Sequence, residues 1–367
     1  MTTLSAQSQA AAPGVGAKTI VIGQSAALSG PAKELGIAFR NGALAYFDHV
    51  NAAGGVGGRH IVLKTLDDGY ESERAAKNTQ TLIEKEGVFA LFGYVGTQTS
   101  AAALPLVSKE GIPFFAPFSG ARALREPFNE NVFHVRASYA AETEKIIENL
   151  AAISVKQIAV FYQNDADGKA GLEGVLQALK KRGIEVVTTA SVEHNSVDVT
   201  TAVAKIKRAK PQAIVMISAY SACAAFVRGI RKDNESNPYL SSISFVGSQS
   251  LSNELADGGR GVMISQVVPL PFDERIPVVK DYHKHYLTQP ERETGFVSME
   301  GYIAAKILVE GLRRSGAALT RESFAKAMES MSAFDAGGFV TRFGPNDHNG
   351  SEFIDLTVLG EGGRFSH

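Results

Sequence analysis

Short runs of β-branched and aromatic residues alternate with helical periodicity along almost the whole chain, and this alternation constrains the fold more than any other feature. Thr19-Ile-Val-Ile-Gly23 predicts a buried strand, Gly36–Val50 a helix, Ile61–Leu66 a second strand and Glu73–Glu86 a helix. Val88–Phe92, Thr97–Glu110 and Ile112–Ala116 continue the series as strand, helix and strand. Strands separated by single helices need crossover connections, which give a parallel sheet covered on both faces. The rhythm restarts after Arg136-Ala-Ser138. Helices are predicted at Glu142–Ile153, Gly168–Arg182, Val199–Ala209 and Ala222–Lys232, between strands at Gln157–Tyr162, Glu185–Thr188, Ala213–Ser218 and Ser244–Gly247. Helical patterns return at Ile276–Tyr286, Ser298–Arg314 and Arg321–Met331, and Phe353–Leu359 reads as a last strand. Two α/β units of similar size are the expectation, with no repeat of solenoid period.

A length of 367 residues accommodates two such units, and 44 % apolar against 20 % charged residues is ordinary for a globular chain. The formal net charge of -1 gives no footprint for nucleic acid or an anionic membrane surface. No apolar run approaches the roughly 20 residues of a membrane-spanning helix. Cys223 is the single cysteine, so neither an intrachain disulfide nor a thiolate metal site is expected. Met1–Lys18 is small and polar and predicts a flexible tail. Its Leu4–Ala12 portion has the small-residue character of the end of a secretory signal, which agrees with a removed export signal and equally with a loose cytosolic N-terminus.

Catalytic signatures fail one by one. Gly54-Gly-Val-Gly-Gly58 precedes a strand instead of opening a helix, so it is a turn and not a dinucleotide site. Asn164–Lys169 opens a helix but lacks the earlier glycine and the Ser or Thr of a phosphate-binding loop. Gly247-Ser-Gln-Ser-Leu251 lacks the closing glycine of a nucleophile elbow. His283 and His285 diverge on a helix, and Asp67-Asp68 reads as a turn cap. No catalytic residues, metal site or cofactor are expected.

Ligands of open parallel sheets bind at the carboxyl ends of the strands. Gly93-Tyr-Val-Gly-Thr-Gln-Thr-Ser100 follows one strand and opens a helix, bringing Tyr94, Thr97 and Gln98 to that edge. The free N–H groups and dipole of the helix start attract a small carboxylate without a basic side chain. Ser119, Gly120 and Ala121 follow the next strand. Strand ends of the second unit supply Asp165 and Asp167, then Ser218 and Tyr220, then Ser248 and Gln249. Each residue singly is a cap or turn residue; their joint placement predicts binding.

The ordered series Ile22–Pro31, Asn51–Arg59, Leu66-Asp-Asp68, Ala90–Gly93 with Thr97, Pro113–Pro117, Ile158–Tyr162 with Gly168, and Gly301-Tyr302 resembles the periplasmic substrate-binding proteins of ABC importers, of the leucine/isoleucine/valine-binding type. The resemblance implies the type I periplasmic binding fold: two Rossmann-like lobes joined by a three-crossover hinge. Residues 19–137 with 268–342 would form one lobe and 138–267 with 343–367 the other. It further implies a monomer outside the cytoplasm, in the periplasm, that passes an amino acid or organic acid to a membrane permease. In relatives the positions matching Thr97 and Ser119–Ala121 hold the ligand's α-carboxylate and α-amino group. Leu35 and Phe296 match wall positions, Asp167 stands where Tyr is common, and Tyr220 lies in a segment that supplies a Tyr. Gln249 stands where amino-acid binders carry an acidic partner for the ammonium, and a neutral amide cannot offset a buried positive charge. Either Asp167 or Asp165 takes that role, or the ligand is a carboxylate without an amine, such as an aromatic acid.

Overall fold

A computed structural model describes residues 12–232 and 237–367. The first sheet is built from β1 (Thr19–Ala26), α1 (Lys33–Ala52), β2 (His60–Asp67), α2 (Ser72–Glu84), β3 (Ala90–Phe92), α3 (Thr97–Glu110), β4 (Phe114–Phe115) and β5 (Val132–Phe133). Its strands run in the order β2-β1-β3-β4-β5, all parallel. The chain then builds a second unit: α4 (Tyr139–Ala152), β6 (Ile158–Gln163), α5 (Ala166–Lys181), β7 (Val186–Val192), α6 (Thr200–Ala209) and β8 (Ala213–Ile217). It continues through α7 (Tyr220–Arg231), β9 (Tyr239–Ser242), α8 (Ser248–Leu255) and β10 (Val262–Gln266).

From β10 the chain returns to the first unit as α9 (Pro277–Tyr286), α10 (Phe296–Arg314) and α11 (Arg321–Glu329), followed by the small hairpin of β11 (Phe334–Asp335) and β12 (Val340–Thr341). Helix α10 lies along α1, with Tyr46 edge-on to Tyr302 at 5.2 Å between ring centroids. The last strands, β13 (Asp355–Leu359) and β14 (Phe365–Ser366), join the second sheet antiparallel, giving β14-β13-β10-β9-β8-β6-β7. The type I expectation of two Rossmann-like lobes is met. Among the described residues the chain passes between the lobes after β5, after β10 and after β12.

The alternation is real because the inner strands are buried on both faces: β8 and β3 have no exposed residue, whereas the edge strands β2 and β7 expose part of one face. Burial of apolar surface, at roughly 25 cal/mol per Å², is what holds such layers together. Differences from the sequence reading have local causes. Residues 12–18 are not a tail. Val15 is buried, it bridges to Ile20, and the Val21 N–H donates to the Gly14 carbonyl at 2.8 Å. One apolar residue and two backbone bonds suffice to fold that segment onto β1, and Met1–Ala11 lies outside the described residues. Ser244–Val246 is a 3₁₀ turn and not a strand; the strand is β9, ahead of it. Strand β10 (Val262-Met-Ile-Ser-Gln266) has an apolar run of only three residues before Ser265 and Gln266, and the sequence reading passed over it.

Candidate ligand-binding site

The carboxyl ends of both sets of parallel strands face each other, and one acidic side chain lies where they meet. Asp167 belongs to the first turn of α5, after β6. Its carboxylate crosses to the first lobe. One oxygen, Oδ2, accepts from the Thr97 backbone N–H at 2.8 Å and from the Tyr70 hydroxyl at 2.7 Å. The other, Oδ1, accepts from the Thr97 hydroxyl at 2.5 Å and from the Tyr139 hydroxyl at 3.1 Å. Asp167, Thr97, Tyr70 and Tyr139 are all buried.

Each donor has a structural reason to be there. Thr97 is the first residue of α3, so its N–H has no acceptor within the helix. Gly96, just before it, has φ +100, and a Cβ there would stand 2.3 Å from the Tyr70 ring. Only glycine lets the ring and the carboxylate approach this turn. Tyr70 itself has φ 66, which is uncommon for an aromatic residue, and Asp68 holds that turn by accepting the Tyr70 N–H at 2.8 Å. The Thr97 hydroxyl is polarised from behind. The Ala121 N–H donates to the Ser119 hydroxyl at 3.2 Å, and that hydroxyl lies 2.7 Å from the Thr97 oxygen. This relay passes its donor character on to the carboxylate.

Charge explains the protonation states. Burial pushes the Asp167 carboxyl up to about 6, with the Asp165 charge adding to it and the bonds from Thr97 and Tyr70 opposing it. Burial, then the Asp167 charge, holds the Tyr70 and Tyr139 hydroxyls protonated, so both act as donors. Beside them His194 lies 2.9 Å from Asp165 and 3.0 Å from the Tyr70 carbonyl. Burial disfavours its charged form, but the Asp165 bond and charge outweigh that and raise it. Behind the site Arg136, 1 % exposed, lies 4.2 Å over the Phe118 ring and pairs with Glu300 at 3.1 Å.

The sequence-derived candidates divide. Thr97, Ser119, Ala121 and Asp167 converge on one point, with Gly120 on the same loop. Gln98 turns to His194 and the Tyr70 carbonyl, bonding across the cleft beside that point. Leu35 is buried against Gly247, and Tyr220 accepts from the Glu34 N–H at 3.5 Å, so this pair forms a second interlobe contact. Three candidates lie apart. Tyr94 points into the first lobe, bonding Thr79 at 3.0 Å and packing on Phe114 at 5.0 Å. It sits on the opposite side of the β3 exit from Thr97. Gln249 donates to Asn253 and Glu293 near the rim. Phe296 packs on Phe365 at 5.1 Å. Sequence reasoning passed over Tyr70, Tyr139 and His194, and Phe245, whose ring lies 6.1 Å from Tyr70 and 5.8 Å from Phe118. A cavity of about 490 Å³ adjoins the cluster, lined by Gly120 and Arg122 on one side and by Tyr139, Ala170, Glu173 and Gly174 on the other.

Two Rossmann-like lobes with hydroxyl, amide and carboxylate groups meeting between them define a ligand-binding protein. The chain belongs to the periplasmic binding protein family, whose pattern matches residues 19–364. It is 35 % identical to a possible leucine/isoleucine/valine-binding protein from Rhodopirellula baltica SH 1, with a TM-score of 0.91 over 96 % of this chain and 97 % of that one. A substrate-binding periplasmic protein from Ralstonia solanacearum is 31 % identical, with a TM-score of 0.88 over 94 % and 99 % of the two chains. Leu/Ile/Val-binding protein homolog 3 of Brucella melitensis is 25 % identical over 312 residues, 84 % of this chain and 83 % of that protein. These relatives are binding proteins, and this chain is a substrate-binding protein rather than an enzyme. Among the described residues no helix is long and apolar enough to cross a membrane.

Proposed function

We propose that this chain is an extracytoplasmic solute-binding protein of an ABC importer. It captures a small amino acid or related organic acid between its lobes and delivers it, unchanged, to a membrane permease. The lobes are residues 19–137 with 268–342 and residues 138–267 with 343–367, and the protein works as a monomer in the periplasm. The observation that carries this reading is the set of four donors around Asp167, three of them on the Thr97 and Tyr70 turns of the first lobe. Four hydrogens directed at two oxygens suit a carboxylate and leave a neutral amide with an unmatched donor. The names of the relatives agree with a carboxylate ligand of amino-acid size. A second reading, an acid without an amine, draws on Gln249: an amide stands where an acidic partner for an ammonium is expected, and it is engaged by Asn253 and Glu293.

Closure couples to binding because a ligand touching both lobes stabilises the closed form by its differential contacts. Mass spectrometry of small molecules released from the purified protein identifies the ligand. Thermal shift with that acid and its amide then tests the chemistry. The acid should raise the melting temperature and the amide should not. A released ligand with no carboxylate would overturn the reading.

A further inference from the structure

The donors that suit a ligand carboxylate are engaged by a residue of this chain. Thr97 contributes one N–H and one O–H, and Tyr70 and Tyr139 one O–H each, and all four hydrogens point at Asp167. A single hydrogen cannot serve two carboxylates at full strength. Occupancy by Asp167 and occupancy by a ligand carboxylate therefore exclude each other. Asp167 is rooted in α5, on the second lobe, while Thr97 and Tyr70 are on the first, so this contact also draws the lobes together. It does not act alone: Asn195 donates to the Gly69 carbonyl at 3.1 Å and Ser221 to the Pro31 carbonyl at 3.0 Å, both across the same cleft.

We propose that Asp167 is a built-in competitor that holds the ligand-free protein shut on its own carboxylate, sets an affinity threshold for every ligand, and yields only to one that supplies more contacts than a carboxylate alone. The proposal rests on the carboxylate reading of the Thr97 site given above. Its physical basis is effective concentration. A tethered group competes as if present at a concentration on the order of millimolar or higher, so a bare small carboxylate cannot displace it. A ligand whose body also fills the adjoining space can. The apparent affinity of every ligand is then reduced by the fraction of molecules whose Asp167 is docked. Because that factor is common to all ligands it leaves their relative affinities unchanged, but it carries acetate-sized ions, weak to begin with, below useful occupancy while acids with a side chain still bind.

The test compares wild-type full-length protein, stripped of ligand by unfolding and refolding, with Asp167→Ala, using small-angle scattering for compaction and titration with sodium acetate as the probe. Asp167→Ala should be more extended than wild type, and acetate should restore its compaction while acetamide and sodium chloride do not. Wild type should ignore acetate over the same range, a difference of roughly tenfold or more in apparent affinity. Equal compaction of the two proteins, or an equal response to acetate, would overturn the proposal. Asp167→Asn preserves the side-chain volume and turns an NH₂ towards the donors; it should open in the same way and serves if the alanine variant does not fold. Failure of the underlying reading has a different signature: acetate rescues Asp167→Ala, yet the natural ligand carries no carboxylate.

Discussion

Leu35 of the first lobe and Gly247 of the second meet so closely that a Cβ on Gly247 would stand 2.4 Å from the Leu35 Cδ2. Gly247 also has φ +77, the region where side chains are strained. The contact sits beside Tyr220 and closes the cleft at a point separate from Asp167. Gly247→Val therefore wedges the lobes apart. It should leave the ligand-free protein more extended than wild type in scattering and weaken ligand binding by roughly tenfold or more, while each lobe keeps its secondary structure. Compaction and affinity equal to wild type would show that the lobes do not meet here.

Thr97 offers the cleanest test of the donor set. Thr97→Ala removes the hydroxyl that lies 2.5 Å from the carboxylate and leaves the backbone N–H in place. Made in Asp167→Ala, where no side chain of the chain competes for the donor, it should weaken binding of the acidic ligand by about 1.5–3 kcal/mol, the range for a hydrogen bond to a charged group. Thr97→Ser keeps the hydroxyl and should recover most of that loss in calorimetry. Equal affinity of Asp167→Ala with and without the Thr97 hydroxyl removes that hydroxyl from the site.

Arg136 is the structural counterpart behind the cleft. It pairs with Glu300 of α10, donates to Ser244 at 2.7 Å, and Ser244 in turn donates its N–H to Glu142 at 2.8 Å. The cluster ties an α10 residue of one lobe to α4 and the β9 exit of the other. Arg136→Met leaves two buried carboxyls without their cation and should cost about 3–5 kcal/mol in denaturant unfolding. Adding Glu300→Gln to that variant should recover part of the loss. Strictly additive losses would show that the two side chains are not coupled.

The pH dependence follows from buried acids. Burial holds Asp167 and Asp68 up to about 6 and Glu300 up to about 7, against ordinary values of 3.8 and 4.5. Each binds its proton more tightly in the folded chain than in the unfolded one. Their stabilising contribution is full below the unfolded values and is lost as pH rises through 6 and 7. His134 and His348, held below the ordinary imidazole value chiefly by burial, pull the other way, so the acids are read by comparison: the difference in melting temperature between about pH 5 and about pH 8 should shift towards higher stability at pH 8 in Glu300→Gln relative to wild type. An identical pH dependence of the two proteins contradicts the Glu300 assignment.

Much of this was legible in the residues. Thr97 was found because a helix start directly after a buried strand exposes N–H groups, and Asp167 because it follows β6 in the same way. The side chains that complete the site left no such trace. Tyr70 depends on a left-handed turn that Asp68 and Gly96 make possible, and nothing local marks it. Phe245 lies in Ser244-Phe-Val-Gly247, which has strand-like composition yet turns because β9 has already ended. Tyr94 shows the converse. It shares a loop with Thr97, but which side of the sheet a loop residue takes is decided by packing, here by Thr79 and Phe114. The interlobe pairs join residues far apart, 190 positions for Pro31 and Ser221 and more for Leu35 and Gly247, a separation that sequence spacing does not report.

The most direct test of the account is a crystal structure of the protein with the ligand it releases on unfolding, once that ligand has been identified. The account predicts a ligand carboxylate within about 2.7–3.2 Å of the Thr97 nitrogen and the Tyr70 hydroxyl, with the Asp167 side chain withdrawn from both. A ligand seated elsewhere, with Asp167 still bonded to Thr97, would contradict it.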